Sequence, residues 1–182
     1  KKTVFPEILL PAFCLLFYLF LFFLDGVNLS ADSQSYIDFT YGREPFYPLF
    51  LAFFRLLFGA GFYFKAVVFV QCLLWAVSMY ALTKTVCEKV QGGVFSACVL
   101  VFFQAAVVFL CRVVAARHAT YCNEVCSEGI AIPLFTLLLT ELSAYSTDYK
   151  NSRLITGMLI GVLLISTRKQ MYIVVLIMGA LY

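Results

Sequence analysis

The chain has 182 residues, 63% of them hydrophobic and 13% charged, where a soluble domain carries about 45–50% and about 25%. Twenty Phe and eleven Tyr are more than the interior of so small a globule can hide, because surface outruns volume at this size. A water-soluble fold is excluded and the bilayer is the expected solvent. The net charge of +3, with its basic residues spread through the loops, gives no footprint for nucleic acid.

At about 20 residues per span, this length holds about five or six helices. The expected fold is an all-α polytopic membrane protein with an interfacial helix after the first outer loop. Val4 to Leu24 follows Lys1 and Lys2 and is long enough to span once. No small-residue cleavage site follows it, so it reads as an anchor. Residues 25–48 form the longest polar loop and hold Asp25, Asp32, Asp38 and Glu44. Residues 49–64 are apolar but broken by Arg55, Gly59 and Gly61, which predicts an interfacial or re-entrant helix, and Pro48 suits its first turn.

Ala66 to Leu82 is the second span and ends in Lys84 and Lys89. After the Gly92-Gly93 break, Val94 to about Val114 is the third. Residues 115–128 form a second polar loop, and Gly129 to about Tyr145 is the fourth span. Leu154 to Ser166 is a run of 13, about 20 Å at about 1.5 Å per residue and short of the hydrocarbon core. This helix is expected to tilt or to end beneath a cavity. Arg168-Lys169 separates it from the apolar run Met171 to Tyr182. The missing Met at position 1 and the unflanked apolar end read as marks of a piece of a longer chain.

With Lys1 and Lys2 in the cytoplasm, alternation of spans places Lys84, Lys89, Lys150 and Arg153 there too. The loops 25–48 and 115–128 then face outward. Basic residues divide seven outside (Arg43, Arg55, Lys65, Arg112, Arg117, Arg168, Lys169) against six inside, so the positive-inside rule does not set orientation. The outer ones either meet an anion, such as a lipid-linked phosphate, or snorkel to the interface. The seven cysteines lie mostly in apolar runs, where Cys behaves as a small hydrophobe. Cys122 and Cys126 share a polar segment with a spacing that suits a disulfide or one helix face, and nothing completes a metal set around them.

The outer loops carry the chemistry-bearing residues. Asp32 and Tyr36 share a face if a short helix starts there, and a carboxylate near apolar walls can serve as a general base. Asp32 is equally well placed to cap a surface helix from Ser33 to Tyr41. Glu124 and Glu128, four apart, line one face if helical, or are simply solvated. Tyr36, Phe46 and Tyr47 suit either sugar stacking or the interfacial aromatic belt.

Asp32 and Tyr36 after the first span, then Arg43-Glu44-Pro45-Phe46-Tyr47-Pro48-Leu49-Phe50-Leu51-Ala52 running into Leu57-Phe58-Gly59, resemble the start of the C-type glycosyltransferases. This superfamily includes protein O-mannosyltransferase and aminoarabinose-transferase relatives. Cys126-Ser127-Glu128-Gly129-Ile130 before Pro133-Leu134, and Gly157 and Gly161 before Ser166-Thr167-Arg168-Lys169, are similar to its later pieces. Two positions depart from the pattern. Asp32-Ser33 stands where several of these families have Asp-Glu, and Arg168-Lys169 where Arg-Pro is frequent.

The resemblance implies that residues 1–182 are the N-terminal membrane part of a larger enzyme. It would move a sugar from a polyprenyl-phosphate carrier to an acceptor hydroxyl on a glycan, lipid or protein. Asp32 would be the base. Arg168 and Lys169, with Arg43 and Arg117 behind them, would bind the donor phosphate, and Tyr36, Tyr47 and Glu128 would meet substrate. A divalent cation is the one cofactor the leaving phosphate invites, without assignable ligands. The implied setting is a plasma or inner membrane, or the endoplasmic reticulum of a eukaryote, with the active face outward. The competing readings are a carrier or channel subunit, and a non-catalytic assembly subunit. Ionisable groups in mid-span would mark a carrier, and Ala66–Leu82, Val94–Leu110 and Gly129–Leu139 contain no Asp, Glu, Lys, Arg or His.

Overall fold

The structure, a computed structural model, describes residues 8–114 and 119–181. Its elements are helical: α1 (Leu10–Asp25), α2 (Ser33–Ile37), α3 (Phe46–Lys89), α4 (Val94–Val114), α5 (Glu128–Asp148), α6 (Asn151–Thr167) and α7 (Met171–Leu181), with a 3₁₀ turn at Tyr121–Asn123.

Two runs that read as separate helices, 49–64 and 66–82, belong to one element. α3 starts at Phe46 and breaks only at Gly59, where φ is 70° and ψ 169°. That backbone region is open essentially to glycine alone. Arg55, Gly61 and Lys65 leave the helix intact, because a long cationic side chain can run along an apolar surface to reach water and one glycine only weakens a helix. The expected interfacial helix therefore ends at Gly59 rather than near residue 64. The expected surface helix from Ser33 to Tyr41 is likewise only the single turn α2.

Three helices, α3, α4 and α5, are long and apolar enough to cross a membrane. α1, α6 and α7 are apolar with 16, 17 and 11 residues, about 24, 26 and 17 Å at about 1.5 Å per residue. The count of about five or six expected at about 20 residues each is thus met in full length by three. On α4, Phe95, Phe102 and Val113 are exposed apolar side chains, the face that hydrocarbon would cover.

α3 lies at the centre, packed on α1, α4 and α5. Tyr18 of α1 meets Trp75 of α3 at 5.9 Å between ring centroids, within a core that includes Leu21, Val67, Val68, Leu134, Leu138 and Leu142. Gly157 of α6 lies against Leu138 and Leu142 of α5, and a β-carbon at Gly161 would sit 3.2 Å from Val175 of α7. Small residues thus let these helices approach closely. At one end of the bundle Lys89 Nζ donates to Ser146 Oγ at 2.8 Å. At the other, residues 25–45, 119–127 and 168–170 gather, as the alternation of spans requires.

Candidate functional site

The floor of the site is a splice between the two polar loops. The Asn28 N–H donates to the Asn123 carbonyl and the Val125 N–H to the Asn28 carbonyl, both at 2.9 Å, as a short parallel bridge. Asn123 is fully buried, and its Nδ2 donates to the Leu21 and Gly26 carbonyls at 3.0 and 2.8 Å. The Gly26 carbonyl lies past the end of α1, where no further helical N–H reaches it. Asp25 accepts from Arg112 Nη1 at 2.9 Å and from the Thr120 N–H at 3.0 Å, which ties α1 to α4 and to loop 115–128. With the Asp25 side chain only 4% exposed, removing its partner would leave a buried charge uncompensated.

From below, α3 supports the same splice. Tyr47 lies before the Gly59 break and Gln71 after it, and the Tyr47 hydroxyl donates to Gln71 Oε1 at 2.8 Å. Gln71 Nε2 in turn donates to the Cys122 and Glu124 carbonyls at 3.1 and 2.9 Å. A β-carbon at Gly129 would come within 2.3 Å of that Nε2. The glycine that opens α5 therefore makes room for the amide.

On this floor runs a chain of polar contacts. Arg43 Nη2 pairs with Asp32 Oδ1 at 2.6 Å, and its guanidinium carbon lies 4.6 Å from the centre of the Tyr36 ring. Arg43 Nη1 donates to the Tyr36 hydroxyl at 3.3 Å, and that hydroxyl lies 2.9 Å from Ser127 Oγ. Ser127 donates to Glu128 Oε2 at 3.2 Å, while Glu128 Oε1 pairs with Arg168 Nη1 at 2.6 Å. Since Ser127 spends its one proton on Glu128, Tyr36 must donate to Ser127, so the donors from Arg43 Nη1 through Tyr36 and Ser127 point toward Glu128, while Arg43 Nη2 donates the other way to Asp32. Burial raises the pKa of the Tyr36 phenol, and the Ser127 hydrogen bond and Arg43 pull it back down. Arg43 is raised through its hydrogen bond to Asp32. Glu128 in the first turn of α5 and Arg168 after the last turn of α6 each complement their helix dipole.

Asp32, Arg43, Tyr36, Glu128 and Arg168 are thus brought together. Asp32 takes the capping position of α2, yet its side chain makes no cap bond and turns to Arg43. It is exposed where Tyr36 is buried, and both side chains engage the Arg43 guanidinium. Lys169 joins through its backbone, its N–H donating to Glu44 Oε1 at 3.2 Å. Tyr47 is fully buried with its hydroxyl committed to Gln71, which corrects its expected role as a sugar contact: its rings and hydroxyl are core. Tyr36, 4% exposed, is a link within the chain of contacts rather than an open stacking platform. Arg117 lies outside the described residues.

Glu124 and Glu128 do not line one helix, because Glu124 has extended backbone after the 3₁₀ turn. None of the seven cysteines, Cys122 and Cys126 among them, is in a disulfide. Among the described residues no three His, Cys, Asp or Glu side chains gather as a metal-ligand set, and Asp32 and Glu128 each hold a guanidinium instead. Ser33, at the position of the missing second carboxylate, is buried and donates to the Val125 carbonyl at 2.7 Å. A carboxylate there would face a carbonyl oxygen.

Sequence reasoning missed Ser127, Gln71 and Asn123 as working parts of the site. Gln71 had a signal, a lone amide within a 17-residue apolar span, since a buried amide needs partners.

Fold and site together define an all-helical protein with three helices long and apolar enough to cross a membrane and a charge-paired cluster at one end of the bundle. Compared with known proteins, the chain matches no family, no curated protein and no solved structure.

Proposed function

We propose that this chain is the membrane-embedded part of a glycosyltransferase that takes a sugar from a polyprenyl-phosphate carrier. One observation carries the reading. Three pieces of the resemblance that lie far apart in sequence, Asp32, Glu128 and Arg168, meet in one hydrogen-bonded cluster at the end of an apolar bundle. Reactive groups at the rim of a bilayer suit a reaction between a lipid-borne donor and a polar acceptor.

In this mechanism the acceptor hydroxyl attacks the anomeric carbon while the bond from that carbon to the phosphate oxygen breaks. Asp32, with its side chain 64% exposed, takes the hydroxyl proton. Arg43 engages Oδ1 and so holds the carboxylate in place, leaving Oδ2 for the proton. The leaving phosphate keeps the bonding electrons, and Arg168, Lys169 and Arg43 are the cations that stabilise its charge. The acceptor class, glycan, lipid or protein, is set by parts of the site beyond these residues.

The test is Asp32→Asn in the complete protein, assayed for transfer from a polyprenyl-phosphate sugar. General-base loss is expected to lower the rate by about a hundredfold or more. A variant that keeps the parent's rate removes Asp32 as the base, and a parent that transfers no sugar removes the transferase reading. A carrier would place ionisable groups in mid-span, and the position of this cluster at the bundle end favours the transferase.

A further inference from the structure

The two cations best placed for a donor phosphate are already held. Arg43 is paired with Asp32 and Arg168 with Glu128, and Tyr36 feels the field of both guanidiniums. The cluster is therefore neutral within itself, two arginines against two carboxylates. Any anion that binds Arg168 must outbid Glu128 for it.

That competition has a chemical threshold. A guanidinium offers the same forked donors to a carboxylate and to a phosphate. A ligand with a single carboxylate brings the same charge that Glu128 already supplies, so exchange gains it nothing. A phosphate monoester, the form in which the carrier leaves, carries more charge and a third oxygen and does gain, whereas the sugar-bearing donor is a diester with one negative charge. Release costs Glu128 little, since its carboxylate keeps the Ser127 hydroxyl and the N-terminus of α5. The pair is also within reach, with side-chain exposures of 29% for Arg168 and 22% for Glu128.

We propose that Glu128 is a gate on Arg168: it occupies the guanidinium until an anion displaces it and lowers the affinity of every anion by the same factor, so that carboxylate amphiphiles of the interface fall below binding while a phosphate monoester stays above it. This rests on reading Arg168 as the phosphate-binding cation. Trp75 gives the exchange a built-in reporter. It is the chain's one tryptophan, and its Nε1 donates to the carbonyl of Gly129, next to Glu128, at 2.9 Å.

The experiment titrates the full chain in maltoside micelles with dodecyl phosphate, laurate and inorganic phosphate, following Trp75 fluorescence and heat. The parent is expected to bind dodecyl phosphate at least about tenfold more tightly than laurate. Glu128→Gln is expected to bind both at least about fivefold more tightly than the parent does, because the competitor that both must displace is gone. Glu128→Asp keeps the charge and should keep the parent's affinities, and Arg168→Gln should lose both ligands. Inorganic phosphate binding as well as dodecyl phosphate would identify a free phosphate, and weaker binding a lipid phosphate; the exchange with Glu128 stands in either case.

Unchanged affinities in Glu128→Gln, an equal rise in Glu128→Asp, or no phosphate binding by the parent overturns the assignment. Binding needs neither acceptor nor turnover. A parent that transfers no sugar therefore removes the transferase reading alone, and unchanged affinities in Glu128→Gln beside a parent that does transfer sugar remove the gate alone.

Discussion

Asn123 is a small side chain that joins three parts of the chain. Its amide donates to two carbonyls at the end of α1, and its Oδ1 accepts from Thr120 Oγ1 at 3.1 Å. Asn123→Ala strands those carbonyls, each lost bond costing about 1 kcal/mol net and more where water cannot enter. A loss of about 2–3 kcal/mol is expected, read as a lower thermal unfolding midpoint of the full chain in micelles. A midpoint equal to the parent's would show that the α1 end finds other donors. At this scale the sequence is legible in one direction. Charged residues such as Asp32 and Arg168 stand out because an apolar chain has few of them. Asn123 gives no such signal, because an amide in a polar loop looks the same whether it is solvated or bonded to another element 102 residues away.

α3 shows what hydropathy can and cannot say about an element. Its two halves are visible in the sequence as a short apolar run and a full span, because Arg55, Gly59 and Gly61 thin the first. The position of the break is not visible, since three candidates compete and only the backbone angles choose Gly59. Gly59→Ala forces a β-carbon into a region costing about 1–3 kcal/mol. The elbow is expected to relax and the Tyr47–Gln71 bond to weaken. Spin labels at the exposed positions 56 and 77 should then show a longer or broader distance distribution than in the parent. An unchanged distribution would mean that packing against α1 and α5, rather than the glycine, sets the bend.

For the whole molecule, the apolar composition legibly announced a bundle, and the order of polar loops announced which segments share an end. The sequence could not reveal how charges pair across that end, because pairing depends on helix tilt and register that no local pattern encodes. The arrangement makes a topological prediction. In a variant lacking the seven native thiols, single cysteines at Tyr41 and Asn151, both exposed, are expected to react with impermeant maleimide from opposite faces of the membrane. Reaction of both from one face would overturn the assignment of α3, α4 and α5 as an odd number of crossings between them.

The contact between Glu44 and the Lys169 amide joins residues 125 positions apart. At a synthesis rate of about 5–20 residues per second, Lys169 follows Glu44 out of the ribosome by about 6–25 s. Through that interval the acidic edge of loop 25–45 stays open, and Glu128 waits for Arg168 as well. The polar cap is thus a clasp fastened late in biogenesis. A defect in α6, distant in sequence from the first loop, would be felt first as an unfinished surface there.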